Sequence, residues 1–195
     1  MPRTAAFGFH RYLSDQFSLQ AWSWLGTVHS MATPEKLRIL HENPPYRFDY
    51  VGRLPSGMQF LGFVTGVYYP THVNSGEDWR LKKKWIAVLH CFDSDGNHVR
   101  SETRLGGYEI EGREIAGYKA TSHLDRMFVE LCDGRQPEYG DIWVRLFSVE
   151  IDGDTHGLNY ERSEENPDEE WGEWVMLEPR DIMFHTPWDS GEYST

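Results

Sequence analysis

The chain has 195 residues, of which 39% are hydrophobic, 26% charged and 14% aromatic, with eight tryptophans and a formal net charge of −12. At this length one domain buries roughly 70% of the surface its unfolded form exposes, and so many rings are too costly to leave in water, which excludes wholesale disorder. A surplus of carboxylates argues against general nucleic-acid binding, which needs cations to neutralise phosphate, and the longest wholly apolar run, Trp85 to Leu89, is far shorter than the roughly 20 residues of a membrane-spanning helix.

The N-terminal 45 residues differ from the rest. Leu13, Phe17, Ala21, Trp24 and Val28 recur at helical spacing and place one apolar face on a first helix. Thr33 offers an N-cap, Pro34 suits a first helical position, and Leu37 with Leu40 supplies the buried side of a short second helix ended by Asn43, Pro44 and Pro45. The expectation is a helical arm over 1–45 and a strand-rich body over 46–195.

From Tyr46 the period becomes two. Tyr46, Phe48 and Tyr50 alternate with Arg47 and Asp49, Leu54 to Gly57 reads as a turn, and Met58 to Tyr69 resumes as a strand. Lys84 to Phe92 is apolar on both parities, with Trp85, Ala87, Leu89 and Cys91 on one side and Ile86, Val88, His90 and Phe92 on the other, as a central strand covered on both faces requires. Asp95 and Gly96 turn the chain back into Val99 to Leu105. Between about Glu111 and Cys132 the apolar positions fit a helix. Ile142 to Ile151 then alternates as a strand, Asp152 and Gly153 make a hairpin turn, a return strand holds His156, Leu158 and Tyr160, and a last strand runs from Trp171 to Leu177. These elements predict an α+β fold: a mainly antiparallel sheet of about seven strands, with one helix between the fourth and fifth, plus the N-terminal helical arm.

No residue pattern names a reaction. Asp93, Ser94, Asp95, Gly96 and Asn97 resemble the start of a calcium loop, but that pattern wants Gly sixth and Glu twelfth, whereas Gly96 is fourth and the twelfth residue is Arg104, so a turn is expected. The nine histidines show neither His-x-x-x-His nor His-x-His spacing, and nucleophile and phosphate-loop motifs are absent. Cys91 and Cys132 stand alone and read as core thiols. No catalytic residue, metal or cofactor is expected. Arg80, Lys82, Lys83 and Lys84 form the one basic cluster, read as a solvated strand entry or an internal salt bridge. The N-terminal segment is broken by His10, Arg11, Ser14, Asp15 and Gln16 and lacks a secretory apolar run, so a cytoplasmic protein is expected.

The charge is segregated. From Glu150 to Thr195 there are 14 carboxylates and two arginines, Arg162 and Arg180, a balance of −12, while residues 1–149 are neutral overall. The same quarter carries Trp171, Trp174, Trp188 and Tyr193. Acid interleaved with rings suits a surface that grips a cationic partner, since charge steers the encounter and rings supply desolvated contact. The loop from Glu161 to Glu170 reads as solvated, and the last segment keeps a Pro, a Trp and a Tyr where chain ends are usually polar. The candidate binding residues are therefore Trp171, Trp174, His185, Trp188, Asp189 and Glu192.

The stretches Arg145 to Gly153 (RLFSVEIDG), Gly157 to Glu161 (GLNYE) and Phe184 to Thr195 (FHTPWDSGEYST) resemble a group of small bacterial proteins, some of which carry the label formate hydrogenlyase regulatory protein. The resemblance covers about residues 46–195 and implies a bacterial, cytoplasmic protein without assigning catalytic residues. The acidic, Trp-rich makeup is also similar in character to immunity proteins that neutralise toxins. Together these features lead to the expectation of a non-catalytic regulatory or inhibitor protein whose C-terminal surface binds a basic protein partner. The alternative is a small-molecule-binding protein or enzyme with a cleft near His185, Trp188 and Asp189.

Overall fold

The computed structural model describes residues 33–42, 48–68, 78–164, 172–191 and 193–194. The helix predicted over Leu13 to Val28 lies outside these residues, as do Trp171, Glu192 and most of the acidic loop. In chain order the described strands and helix are β1 (Leu37–Ile39), β2 (Tyr50–Arg53), β3 (Gln59–Tyr68), β4 (Lys83–Phe92), β5 (His98–Tyr108), α1 (Arg113–Cys132), β6 (Glu138–Tyr139), β7 (Ile142–Val144), β8 (Phe147–Ile151), β9 (Asp154–Arg162), β10 (Glu173–Glu178), β11 (Ile182–Phe184) and β12 (Tyr193–Ser194). Short 3-10 turns, Trp79–Leu81 and Glu109–Glu111, precede β4 and α1.

The fold is α+β and its sheets are antiparallel, but the single sheet of about seven strands expected from the pattern is three among the described residues. Five strands pair in the order β5-β4-β3-β2-β6, five in the order β12-β11-β10-β9-β8, and β1 pairs with β7. The first of these sheets is the middle layer. On one side Ala87, Leu89 and Cys91 of β4 and Phe60 of β3 meet Leu124, Met127, Phe128 and Leu131 of α1. On the other, Leu61, Phe63, Ile86, Val88 and Phe92 meet Leu158, Val175, Leu177, Ile182 and Phe184 of the second sheet. This double covering is why Lys84 to Phe92 is apolar on both parities.

The local causes are plain. Ala116, Ala120 and Leu124 recur every four residues on the buried stripe of α1, and the helix stops where Asp133 adopts a left-handed conformation. The helix backbone sits against Gly106 of β5, where an added Cβ would collide with the main chain at Ala116 and Ala120. Asp152 and Gly153 both take positive φ, the geometry that lets a two-residue turn match the strand twist, and join β8 to β9. At the β4–β5 turn Asp93 accepts from the backbone N–H of Asp95 and Asn97 at 2.9 and 2.8 Å, so the calcium-like string serves as turn chemistry.

Two expectations are corrected. The short helix read from Thr33, Pro34, Leu37 and Leu40 is instead strand β1, in which Leu37 and Ile39 are both buried opposite Val144 and Ile142. A helix of so few residues is marginal by itself, whereas pairing with β7 satisfies the backbone and buries alternate side chains. The strand read over Ile142 to Ile151 is two strands in two sheets. The break falls at Arg145 and Leu146, where the Arg145 N–H donates to the Gly96 carbonyl at 2.8 Å and the chain passes from one sheet to the other.

Candidate functional site

The C-terminal quarter builds most of the second sheet, and strand alternation divides its side chains between two faces. Val175 and Leu177 of β10 are buried in the core, so Trp174 and Met176 lie on the outward side, where Met176 stands opposite Met183 of β11. The Trp174 indole N–H donates to Glu161 at 2.9 Å on that side. Glu150 of β8, Glu161 of β9 and Glu178 of β10 share this outward parity. Burial, reinforced by the neighbouring Asp181 and Glu161 charges, raises the Glu178 carboxyl above its ordinary value.

The two arginines of the quarter are engaged. Arg180 turns to the middle layer, donating to the Val64 carbonyl at 3.2 Å and lying over the rings of Phe63 and Phe48 at 5.2 and 5.6 Å. Arg162 stands 3.5 Å from Glu173. The outward face of this sheet therefore presents a half-buried row of Trp174, Met176 and Met183 among carboxylates.

The other predicted residues do not join Trp174. Trp188 is half-buried against the inter-sheet core, edge-on to Tyr160 at 6.5 Å between ring centres. Its carbonyl accepts from the Arg38 N–H, and the Asp189 carbonyl accepts from the Arg38 guanidinium, both at 3.3 Å, while that guanidinium also grips Asp141 at 2.6 Å. The tail is a strap across β1, and Asp189 serves it through backbone rather than carboxylate. Burial lowers the His185 imidazole below its ordinary pKa. Trp171 and Glu192 lie outside the described residues.

A second polar constellation, unanticipated as a unit, lies between the sheets. His90 of β4 is completely buried, with its Nδ1 2.6 Å from the Ser101 hydroxyl of β5, and that hydroxyl is 2.8 Å from His98 Nε2. His156 of β9, 1% exposed, faces His90 across the layer with ring centres 6.2 Å apart. Lys84 and Asp154 form an ion pair of 2.5 Å with side chains only 12% and 7% exposed. Burial pushes His90 down to about 3, with the fields of His156 and His98 adding to it, and burial also lowers His156 and His98, so the cluster is neutral at pH 7. Burial raises the Cys91 and Cys132 thiols, the state of core sulfur.

The ion pair opens into a cleft of about 280 Å³ between the β5 edge of one sheet and the β8–β9 hairpin of the other. Among the described residues no group of three His, Cys, Asp or Glu side chains has metal-binding geometry. The one sequence signal for this site was parity: Lys84, Ile86, Val88 and His90 share a face of β4, so a lysine and a histidine were due to enter the core. Of the basic cluster, Lys84 takes the internal salt bridge and Arg80 pairs locally with Asp78 at 2.7 Å.

No family model, curated protein or solved structure matches the chain. What fold and site define is an α+β protein of helix, sheet and sheet, with an acidic outer sheet and a polar cleft between sheet edges. No helix among the described residues is long and apolar enough to cross a membrane.

Proposed function

We propose that this is a non-catalytic regulatory or inhibitor protein that docks a basic protein partner on the outward face of its C-terminal sheet. The observation that carries the reading is the row of Trp174, Met176 and Met183 bordered by Glu150, Glu161 and Glu178, with Arg162 and Arg180 engaged elsewhere. Carboxylates in excess over cations attract a cationic surface over long range, and an apolar row with one large ring supplies the contact area that holds it. The likeness of Arg145 to Gly153 and Gly157 to Glu161, which run through β8 and β9 of this sheet, to small bacterial regulatory-labelled proteins supports the reading. The docking surface is thus narrower than the acidic quarter as a whole, and Trp188 belongs to the core beneath it.

The test is capture of partners from the native host on immobilised protein at low and high salt, using wild type and a Trp174→Ala/Met176→Ala variant. A single basic protein retained at low salt, weakened at high salt and lost by the variant is the expected result. Partners that bind the variant as well as wild type, or no partner at either salt, overturn the reading.

A further inference from the structure

Another cleft, of about 430 Å³, lies where the β2–β3 turn, the β4–β5 turn and the β1–β7 pair come together. Two cations line it, Lys36 and Arg53, and no carboxylate does. This stands out in a chain with 31 carboxylates and a net charge of −12, whose clefts beside Asp154 and beside Glu178 and Asp181 are lined with acid. Among the described residues Lys36 makes no ion pair, and Arg53 is held by a neutral group, its guanidinium donating to the Asp141 carbonyl at 3.0 Å. Glu35, next to Lys36, pairs instead with Arg145 at 3.0 Å, and Glu138, opposite Arg53 in register, does not close to an ion pair with it. Unpaired cations in a concave surface focus a positive field on whatever enters.

The walls of the cleft are fixed in advance. Gln59, buried at its edge, donates from its side-chain amide to the carbonyls of Asp93 and Trp143, each at 3.0 Å, and accepts from the Trp143 N–H at 2.9 Å. This clamp ties β7 to the β4–β5 turn and so holds Trp143 and Ser94, which both line the cleft, in one relation to each other. The Trp143 ring is exposed, and its indole N–H bonds to no described group. A site whose parts are already ordered loses less entropy when it fills.

Charge and shape select the ligand. Two unpaired positive charges match a dianion better than a monoanion, and a guanidinium, an ammonium and a hydroxyl are the donors that phosphate oxygens accept from. An exposed indole offers a flat apolar face to an unsaturated ring, and the volume suits a small molecule, since ligand sites usually run from about 300 to 1,000 Å³. We propose that the cleft binds a small phosphate monoester bearing a flat ring: its oxygens take hydrogen bonds from Arg53, Lys36 and the Ser94 hydroxyl, and its ring lies against Trp143. The inference goes beyond the protein-docking role and shares no residue with that surface, so either can fail alone.

The experiment titrates the full chain with phenyl phosphate, benzoate, benzyl alcohol and inorganic phosphate, by calorimetry and by NMR of the indole N–H groups, at about pH 8, where a phosphate monoester is a dianion. Saturable binding of phenyl phosphate is expected, tighter than that of benzoate or inorganic phosphate and with none of benzyl alcohol, together with a shift of the one indole resonance that Trp143→Phe removes. Arg53→Gln and Lys36→Gln each weaken phenyl phosphate by about tenfold, and Trp143→Ala brings it down to the affinity of inorganic phosphate. Adenosine monophosphate is titrated in parallel: binding at least as tight as that of phenyl phosphate assigns the site to nucleotides, and weaker binding assigns it to simple aryl phosphates. The proposal is overturned if phenyl phosphate shows no saturable binding, if benzoate, benzyl alcohol or inorganic phosphate binds as tightly, or if Arg53→Gln and Lys36→Gln both leave its affinity unchanged.

Discussion

His90, with no exposed surface, reaches the Ser101 hydroxyl across the β4–β5 pair at 2.6 Å from Nδ1 to Oγ, and the same oxygen lies 2.8 Å from His98 Nε2. A serine has one proton, so it can donate to only one of the two imidazoles, and the ring that accepts that proton must be neutral. His156 faces this pair from the second sheet, with the Lys84–Asp154 ion pair beyond it.

The cluster ties stability to pH. Folded His90 is depressed to about 3, and His98 and His156 are lowered as well, against an unfolded value of 6.5. Below 6.5 the unfolded chain binds protons that the folded chain refuses, so stability is full above 6.5 and falls as pH drops from there toward the folded values. For His90 alone the slope approaches about 1.4 kcal/mol per pH unit. Asp49 and Glu178, whose pKa values burial raises, act in the opposite sense in the acid range. Denaturant midpoints from pH 7.5 down to 5, compared between wild type and His90→Gln, isolate the histidine contribution as a shallower slope in the variant. An identical slope contradicts the assignment.

The Lys84–Asp154 pair gives a second prediction. Both side chains are nearly buried, so removing one partner strands the other charge between the sheets, a loss of about 3–5 kcal/mol. Lys84→Met and Asp154→Leu each fall in that range, and the double variant is less destabilised than either single change. Chemical denaturation of the four proteins in a double-mutant cycle provides the measurement.

How far these features could be read in the chain depends on range. The β3–β4–β5 meander was legible because its signals are local: alternation, the Asp95-Gly96 turn and a run apolar on both parities. Strand β1 was not, since three residues carry almost no periodicity and their partner, Ile142–Val144, lies about a hundred residues on. The passage between sheets at Arg145 and Leu146 was hidden because the alternation runs through it unbroken. The charge segregation was visible, yet which face each ring takes was decided by the core beneath β10. The histidine cluster was the least legible, because His156 meets the cross-strand pair of His90 and Ser101 only through sheet-on-sheet packing.

Two glycines test the packing of α1 in opposite directions. A Cβ at Gly106 would strike the helix backbone, so Gly106→Ala forces the helix off the sheet and costs about 1–3 kcal/mol or more. Gly117 lies within α1 with nothing near its missing Cβ, so Gly117→Ala stabilises by roughly 0.5–1 kcal/mol through helix propensity alone. Thermal melts of the two variants should move in opposite directions.

The tryptophans of the acidic quarter separate structure from docking. Trp188 packs on Tyr160 at the edge of the inter-sheet core, and a half-buried indole removed there costs about 2–3 kcal/mol, so Trp188→Ala lowers stability. Trp174 lies on the outward face with its N–H bonded to Glu161, and Trp174→Ala changes stability by no more than about 1 kcal/mol. Asp189 contributes its carbonyl to the strap, so Asp189→Ala stays within roughly 0.5 kcal/mol. Affinity for the basic partner follows a different order: Trp174→Ala weakens it about tenfold or more, as expected of a central aromatic contact, while Asp189→Ala leaves it unchanged. Measuring both quantities on the three variants distinguishes the alternatives, because a surface centred on the tail would reverse the two affinity results without altering the three stabilities.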